Sequence, residues 1–157
     1  MRNLTRALIL TLDQEAAGAA KANGRIRTTL AKAKEVRPFV EKMVTTAVKA
    51  KRCLDDANAI KCPQAHGSDE YQTWRATEAG QVWLKAQAKY IHYRRQLFDT
   101  LRSKKAVSLL IDQLAARFED RPGGYTRVVR IAKRRLADAA RLAYIEFVGE
   151  PTRLSQS

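Results

Sequence analysis

IRTTLAKAKEVRPFVEKMVT, Ile26 to Thr45, changes its repeat partway along, and that change decides the fold. At its start Arg25 and Arg27 bracket Ile26, the two-residue alternation of a strand, which puts both arginines on the face opposite the isoleucine. The spacing predicts a short strand over Arg25 to Thr28. Thr28 or Thr29 then caps a helix whose buried face is Val36, Phe39, Val40, Met43, Val44 and Ala47. Pro38 lies inside that pattern and either kinks the helix or marks a restart, because it removes one backbone donor and crowds the preceding turn. Lys32, Lys34 and Arg37 make the beginning of this helix basic.

Upstream, Leu4, Leu8, Leu12 and Ala16 recur every four residues, so Asn3 to Lys21 reads as a helix with one apolar stripe, ended by Asn23 and Gly24. The run from Leu4 to Leu12 imitates a secretory signal, but it is short, contains Thr5, Arg6 and Thr11, and is followed by Asp13 and Glu15, which favours a packed amphipathic helix. Downstream of a loop at Pro63 to Gly67, Ser68 with Asp69 and Glu70 starts another helix, along which Tyr71, Trp74, Trp83, Tyr90, Leu97 and Leu101 recur. Ser103 caps a further helix, in which Val107, Leu110, Ile111, Leu114 and Phe118 keep helical spacing. Pro122, Gly123 and Gly124 end it, and Tyr125 to Ile131 and Ala143 to Val148 have the β-branched and aromatic content of strands. The order is α-β-α-α-α-β-β. An α+β fold follows, two-layered, with helices packed on a small three-stranded sheet.

At 157 residues and 45% hydrophobic content the chain suits a single folded domain over residues 1–157, and no stretch approaches the ~20 apolar residues that span a bilayer. Its formal charge is +14, a surface that attracts polyanions and leaves two partners open, nucleic acid or an anionic membrane surface. The charge is unevenly placed. Between Cys53 and His92 four basic residues face five acidic ones, a net of −1 that leaves +15 to the remainder. That middle segment also holds both tryptophans, both cysteines and both histidines. Its length allows a helical hairpin that touches more RNA or a neighbouring protein.

Guanidinium forks suit phosphate oxygens because they donate two parallel, charge-assisted hydrogen bonds. Any single lysine is as readily a solvated surface charge, but cations packed together repel one another unless an anion compensates them. Gly123 and Gly124 let backbone approach a phosphate, with Tyr125 stacking on a base; a plain turn followed by a core tyrosine fits equally well. Cys53, Cys62, His66 and His92 have poor zinc spacing, with eight residues between the cysteines and no Cys-x-x-Cys pair, and read as ordinary reduced residues. No nucleophile elbow, phosphate-binding loop or suitably spaced acidic pair points to an enzyme, and no cofactor is expected.

Three blocks in order, Ile26 to Thr45, RPGGYTRVVRI at Arg121 to Ile131 and LAYIEFV at Leu142 to Val148, resemble the bacterial large-subunit ribosomal protein family L-seventeen over roughly three-quarters of the chain. The family's Ile-x-Thr-Thr and Lys-Ala-Lys are met by Ile26, Thr28, Thr29, Lys32, Ala33 and Lys34, and Glu41, Met43, Val44 and Thr45 continue the fit. The resemblance implies a cytoplasmic, structural component of the large ribosomal subunit, bound to ribosomal RNA near the rim of the peptide exit tunnel, beside the small protein L-thirty-two. It implies no membrane and no small-molecule substrate, and it implies that the middle segment, about 53–92, is an insertion. A non-ribosomal RNA- or DNA-binding accessory protein is the other reading. The expected RNA-binding residues are Arg25, Arg27, Lys32, Lys34, Arg37, Arg94, Arg95, Arg121, Tyr125, Arg127, Arg130, Lys133, Arg134 and Arg135. Two departures accompany the match. The family's basic stretch before the first helix is missing, so either the start lies upstream or an RNA-contacting arm was lost. The connection from Arg135 to Ala140 also replaces a Gly-Asp-rich turn ending in Ala-Pro.

Overall fold

A computed structural model of the chain describes residues 1–13, 24–60 and 67–149. Thr11 sets the first boundary. Its hydroxyl donates to the carbonyl of Leu8 at 2.6 Å and accepts from the amide of Gly24 at 3.0 Å, so the side chain competes for the helix's own backbone and ties the helix end to the next strand. Helix α1 is accordingly Arg2–Leu10, shorter than the expected Asn3 to Lys21. The stretch 14–21, with Ala16, lies outside the described residues, as does Asn23. Leu8, Ile9 and Leu12 are buried, as a packed amphipathic segment requires, and nearly buried Asp13 pairs with Lys105.

Gly24, at φ 69°, turns the chain into strand β1, Arg25–Thr29. Helix α2 then runs without interruption through Leu30–Ala59, Pro38 included, so the proline neither ends nor restarts it. Thr29 occupies the cap position without a side-chain hydrogen bond to the helix. All the expected face is buried except Phe39, which packs at the core's edge, and Ala33, Val48, Ala50 and Ala57 extend it.

Ser68 caps α3, Asp69–Ala76, by accepting from the amide of Tyr71. The single helix expected from Ser68 onward is two helices. Thr77 closes α3 by donating to the carbonyl of Trp74 at 2.6 Å, and opens α4, Glu78–Leu101, by accepting from the amide of Gly80 at 3.3 Å. The order is therefore α-β-α-α-α-α-β-β, with one helix more than expected. Ser103 caps α5, Lys104–Leu109, which widens into π-helical turns at Leu110–Ala115 while keeping Val107, Leu110, Ile111, Leu114 and Phe118 buried.

Strands β2, Thr126–Arg134, and β3, Arg141–Phe147, complete an antiparallel sheet of order β1-β3-β2. Ala143, Ile145 and Phe147 are buried on one face, opposite Thr28 and Ile26 on β1 and Val128 and Thr126 on β2. Helix α2 links the two layers: it packs on the sheet on one side and on α4 and the π-helical segment on the other. One hydrophobic cluster joins α1, α2, α4, α5 and the sheet. Among the described residues no helix is long and apolar enough to cross a membrane.

Helix α3 makes its main contacts with α4, and there Tyr71, Trp74 and Trp83 pack with ring centroids 5.7 to 6.3 Å apart. Tyr71, Trp74 and Trp83 thus form their own small cluster, while Tyr90 packs against the main core. Gly80 permits the close approach, since a Cβ there would lie 2.3 Å from the carbonyl oxygen of Trp74 and 2.7 Å from the Cα of Arg75. Gly80→Ala is expected to prise α3 from α4 at a local cost of about 2 kcal/mol, the scale of overpacking. Amide exchange in α3 should then accelerate while α2 keeps its protection; unchanged exchange in α3 would contradict the close contact.

Candidate nucleic-acid interface

The sheet sorts its cations by register. Arg25 and Arg127 both stand opposite Glu146, on the face away from Ile145, and Arg27 shares that face opposite Tyr144. Glu146 is only 5% exposed. Arg25 Nε lies 2.5 Å from its Oε2 in an ion pair without hydrogen-bond geometry, and Arg127 Nε donates to its Oε1. The Arg25 guanidinium also sits over the Tyr144 ring, 4.2 Å from its centroid. One carboxylate therefore holds two of the expected RNA-binding arginines, and Arg25, whose side chain is 10% exposed, is a strut of the sheet more than a free cation. Arg27 is exposed, with no carboxylate partner among the described residues.

A second group forms where α2 begins. Lys32 and Lys34, in the first turns of α2, line a groove of about 520 Å3 with Arg135 and Asp138 from the β2–β3 connection and Arg141 at the start of β3, together with Thr29, Leu30 and Ala140. Across the end of the hairpin Arg134 is directly opposite Arg141. Like charges in that position destabilise a sheet unless something anionic lies against them. Arg37 follows Lys34 by one turn and is exposed; Arg130 and Lys133 are exposed on β2, where the pairing becomes irregular between Arg130 and Arg134. None of Lys32, Lys34, Arg37, Arg130, Lys133 and Arg134 pairs with a carboxylate of the described residues.

Arg135 differs. Its Nε donates to Asp138 Oδ1 at 2.8 Å and a terminal nitrogen to Oδ2, a two-pronged clamp that closes the turn, together with the amide of Arg135 donating to the carbonyl of Ala140. That guanidinium, helped by the amide of Ala140, holds the Asp138 carboxyl down at about 2. A lowered acid keeps its contribution above the ordinary carboxylate range and loses it only as the pH falls toward 2, so at neutral pH the charge of Arg135 is locally balanced.

One expectation needs correction. Tyr125 is 3% exposed, its ring lies 5.1 Å from that of Phe118, and its hydroxyl donates to the carbonyl of Arg121, so no base can stack on it. Arg121 turns its Nε back to the carbonyl of Gly123, so both residues shape the Gly-Gly turn. Arg94 and Arg95 lie on α4, which packs mainly on α2, α3, α5 and α1, and there they share a separate concavity with Arg102 and Lys104.

Several participants escape a reading of the sequence. Arg141 falls two residues before the expected strand, and only register reveals its position opposite Arg134. Glu146 resembles any surface acid until strand pairing puts two arginines against it. Glu41 accepts from the amides of Tyr125 at 3.0 Å and Thr126 at 2.9 Å and from the Thr126 hydroxyl at 2.7 Å, anchoring the start of β2 to α2 across more than eighty residues of sequence. Cys53 is a free thiol, Cys62 and His66 lie outside the described residues, and among the described residues no cluster of metal-binding side chains occurs.

With this geometry in place, comparison with known proteins gives one consistent result. A family model described as Ribosomal protein L17 matches residues 14–148. Large ribosomal subunit protein bL17 of Rhodopirellula baltica is 45% identical over 162 aligned residues, covering 100% of this chain and 76% of that protein. The bL17 proteins of Opitutus terrae and Kosmotoga olearia are each 34% identical, covering 84% and 80% of this chain. The chain spans 59% of the former's length and 73% of the latter's.

Proposed function

The chain belongs to the ribosomal protein L17 family, and from that premise we propose that its unpaired cations hold it on ribosomal RNA of the large subunit. It is a structural constituent of the bacterial large ribosomal subunit, located in the cytoplasmic ribosome, and it is not an enzyme. The observation that carries the RNA reading is the meeting of Lys32 and Lys34 with Arg141 in one groove, with Arg134 set directly against Arg141. Such an arrangement gains from a phosphate backbone what it loses in repulsion. A rigid two-layer scaffold that presents cations from a helix start and a hairpin suits recognition of RNA by backbone and shape.

In this reading residues 1–157 work as one unit, with 53–92 as a projecting insertion, and the protein sits among other ribosomal proteins near the rim of the exit tunnel, beside L-thirty-two. Family membership supports that placement. The test is sedimentation of a tagged chain in its own cells. The chain should stay with large subunits through a moderate-salt wash and crosslink to ribosomal RNA and to L-thirty-two. Release by the wash, with the chain recovered free or on other nucleic acid, would favour the accessory-protein reading instead.

A further inference from the structure

Phe98 is one of the few large apolar residues left exposed, at 38%, and the only aromatic among them in the described residues. It does not stand alone. Ile91, also exposed, is two helical turns earlier on the same face of α4, and between them lie Arg94 and Arg95, one turn from each. Arg102 follows one turn later at the end of α4, in the left-handed conformation, held by Asp99 through its side chain at 2.5 Å and by its Nε donating to the Asp99 carbonyl. With Lys104 at the start of α5, these residues enclose an open concavity of about 370 Å3. Four cations thus share the concavity with apolar Ile91, Phe98 and Val107 and with one carboxylate, Asp99, already engaged by Arg102.

We infer that this concavity on α4 is a second RNA site, one that takes an unpaired nucleotide with its base stacked on Phe98 and its phosphates against Arg94, Arg95 and Lys104. The inference rests on the RNA reading above but concerns different chemistry. The groove at α2 and the hairpin has cations, one carboxylate already engaged by Arg135 and no aromatic in its lining, which suits a folded backbone. The α4 site pairs an aromatic face with a positive rim, the combination that binds single strands, because every base offers a π-face and the backbone supplies the charge. An acidic peptide would satisfy the rim, but aliphatic contact would serve it as well as a ring would. Arg94 and Arg95, one turn before Phe98 and lining the same concavity, bring planar guanidinium groups that can add to a stacking surface.

The test uses the full chain and two labelled probes at one fixed salt concentration, a short oligouridylate and a blunt RNA duplex of similar charge, followed by fluorescence anisotropy. Phe98→Leu, which keeps the apolar contact and removes the ring, should weaken oligouridylate binding about tenfold and leave the duplex unchanged. Phe98→Trp should retain or strengthen oligouridylate binding, which also shows that the site tolerates substitution. If Phe98→Leu leaves oligouridylate binding unchanged, or weakens both probes equally, the stacking site is wrong while the RNA reading stands. An acidic amphipathic peptide that displaces oligouridylate equally well from the wild type and Phe98→Leu would likewise overturn it. Failure of the unaltered chain to bind either probe would overturn the RNA reading as well.

Discussion

Glu41→Ala is expected to lower stability by about 3 kcal/mol, with a fall in Tm of roughly 10 °C. Glu41 is a helix residue with a partly exposed side chain, and a surface acid of that kind changes stability little when removed. Here its carboxylate accepts three hydrogen bonds, from the amides of Tyr125 and Thr126 and from the Thr126 hydroxyl. Thr126 is 2% exposed and begins β2, so alanine leaves buried donors without an acceptor at the point where the strand leaves the Gly-Gly turn. Glu41→Gln separates charge from geometry. Its one oxygen can satisfy part of the set, but its amino group faces the remaining donors, so it should fall between wild type and alanine. An alanine variant that melts like wild type would show that the anchor does not hold.

The largest effect on binding is expected from removing cations without carboxylate partners. Replacing Lys32, Lys34, Arg134 and Arg141 together by glutamine should weaken binding to large-subunit RNA on the order of a thousandfold near 100 mM salt, if each contributes one phosphate contact. The fold should not suffer, because relief of the Arg134–Arg141 opposition offsets the loss of any weak surface pairing. Arg25→Gln and Arg135→Gln are the contrasting cases. Their charges are balanced by Glu146 and Asp138, so their loss should affect sheet or turn stability more than RNA affinity. If those two variants reduced binding as much as the unpaired cations do, the division between struts and contacts would be wrong.

Local chemistry made most of the elements legible. The period change at Ile26 to Thr45 set strand against helix, Ser68 and Ser103 marked helix starts that the structure caps with their own hydroxyls, and the spacing from Val107 to Phe118 survived a change of helical pitch. Where local signals competed, the reading failed. Thr11 looked like a tolerated polar residue in a helix, yet its hydroxyl had two backbone partners, one of them thirteen residues away. Thr77 was hidden in an aromatic repeat that continued across it, because Trp74 and Trp83 share a cluster from two different helices.

The candidate interface was legible as composition and not as geometry. Arginines on β1 could be placed on one face by alternation, but only register could bring Glu146 between Arg25 and Arg127. Tyr125 shows the same limit. A Gly-Gly-Tyr turn is compatible with a stacked base and with a core ring, and packing against Phe118 decides for the core.

The most direct measurement is the affinity of the unaltered chain for large-subunit ribosomal RNA as a function of salt. Six to ten phosphate contacts predict that binding weakens roughly a thousandfold or more between about 50 and 200 mM monovalent salt, along a straight line in log–log form. A nearly flat response would mean that cations gathered by this fold are not what holds it to RNA.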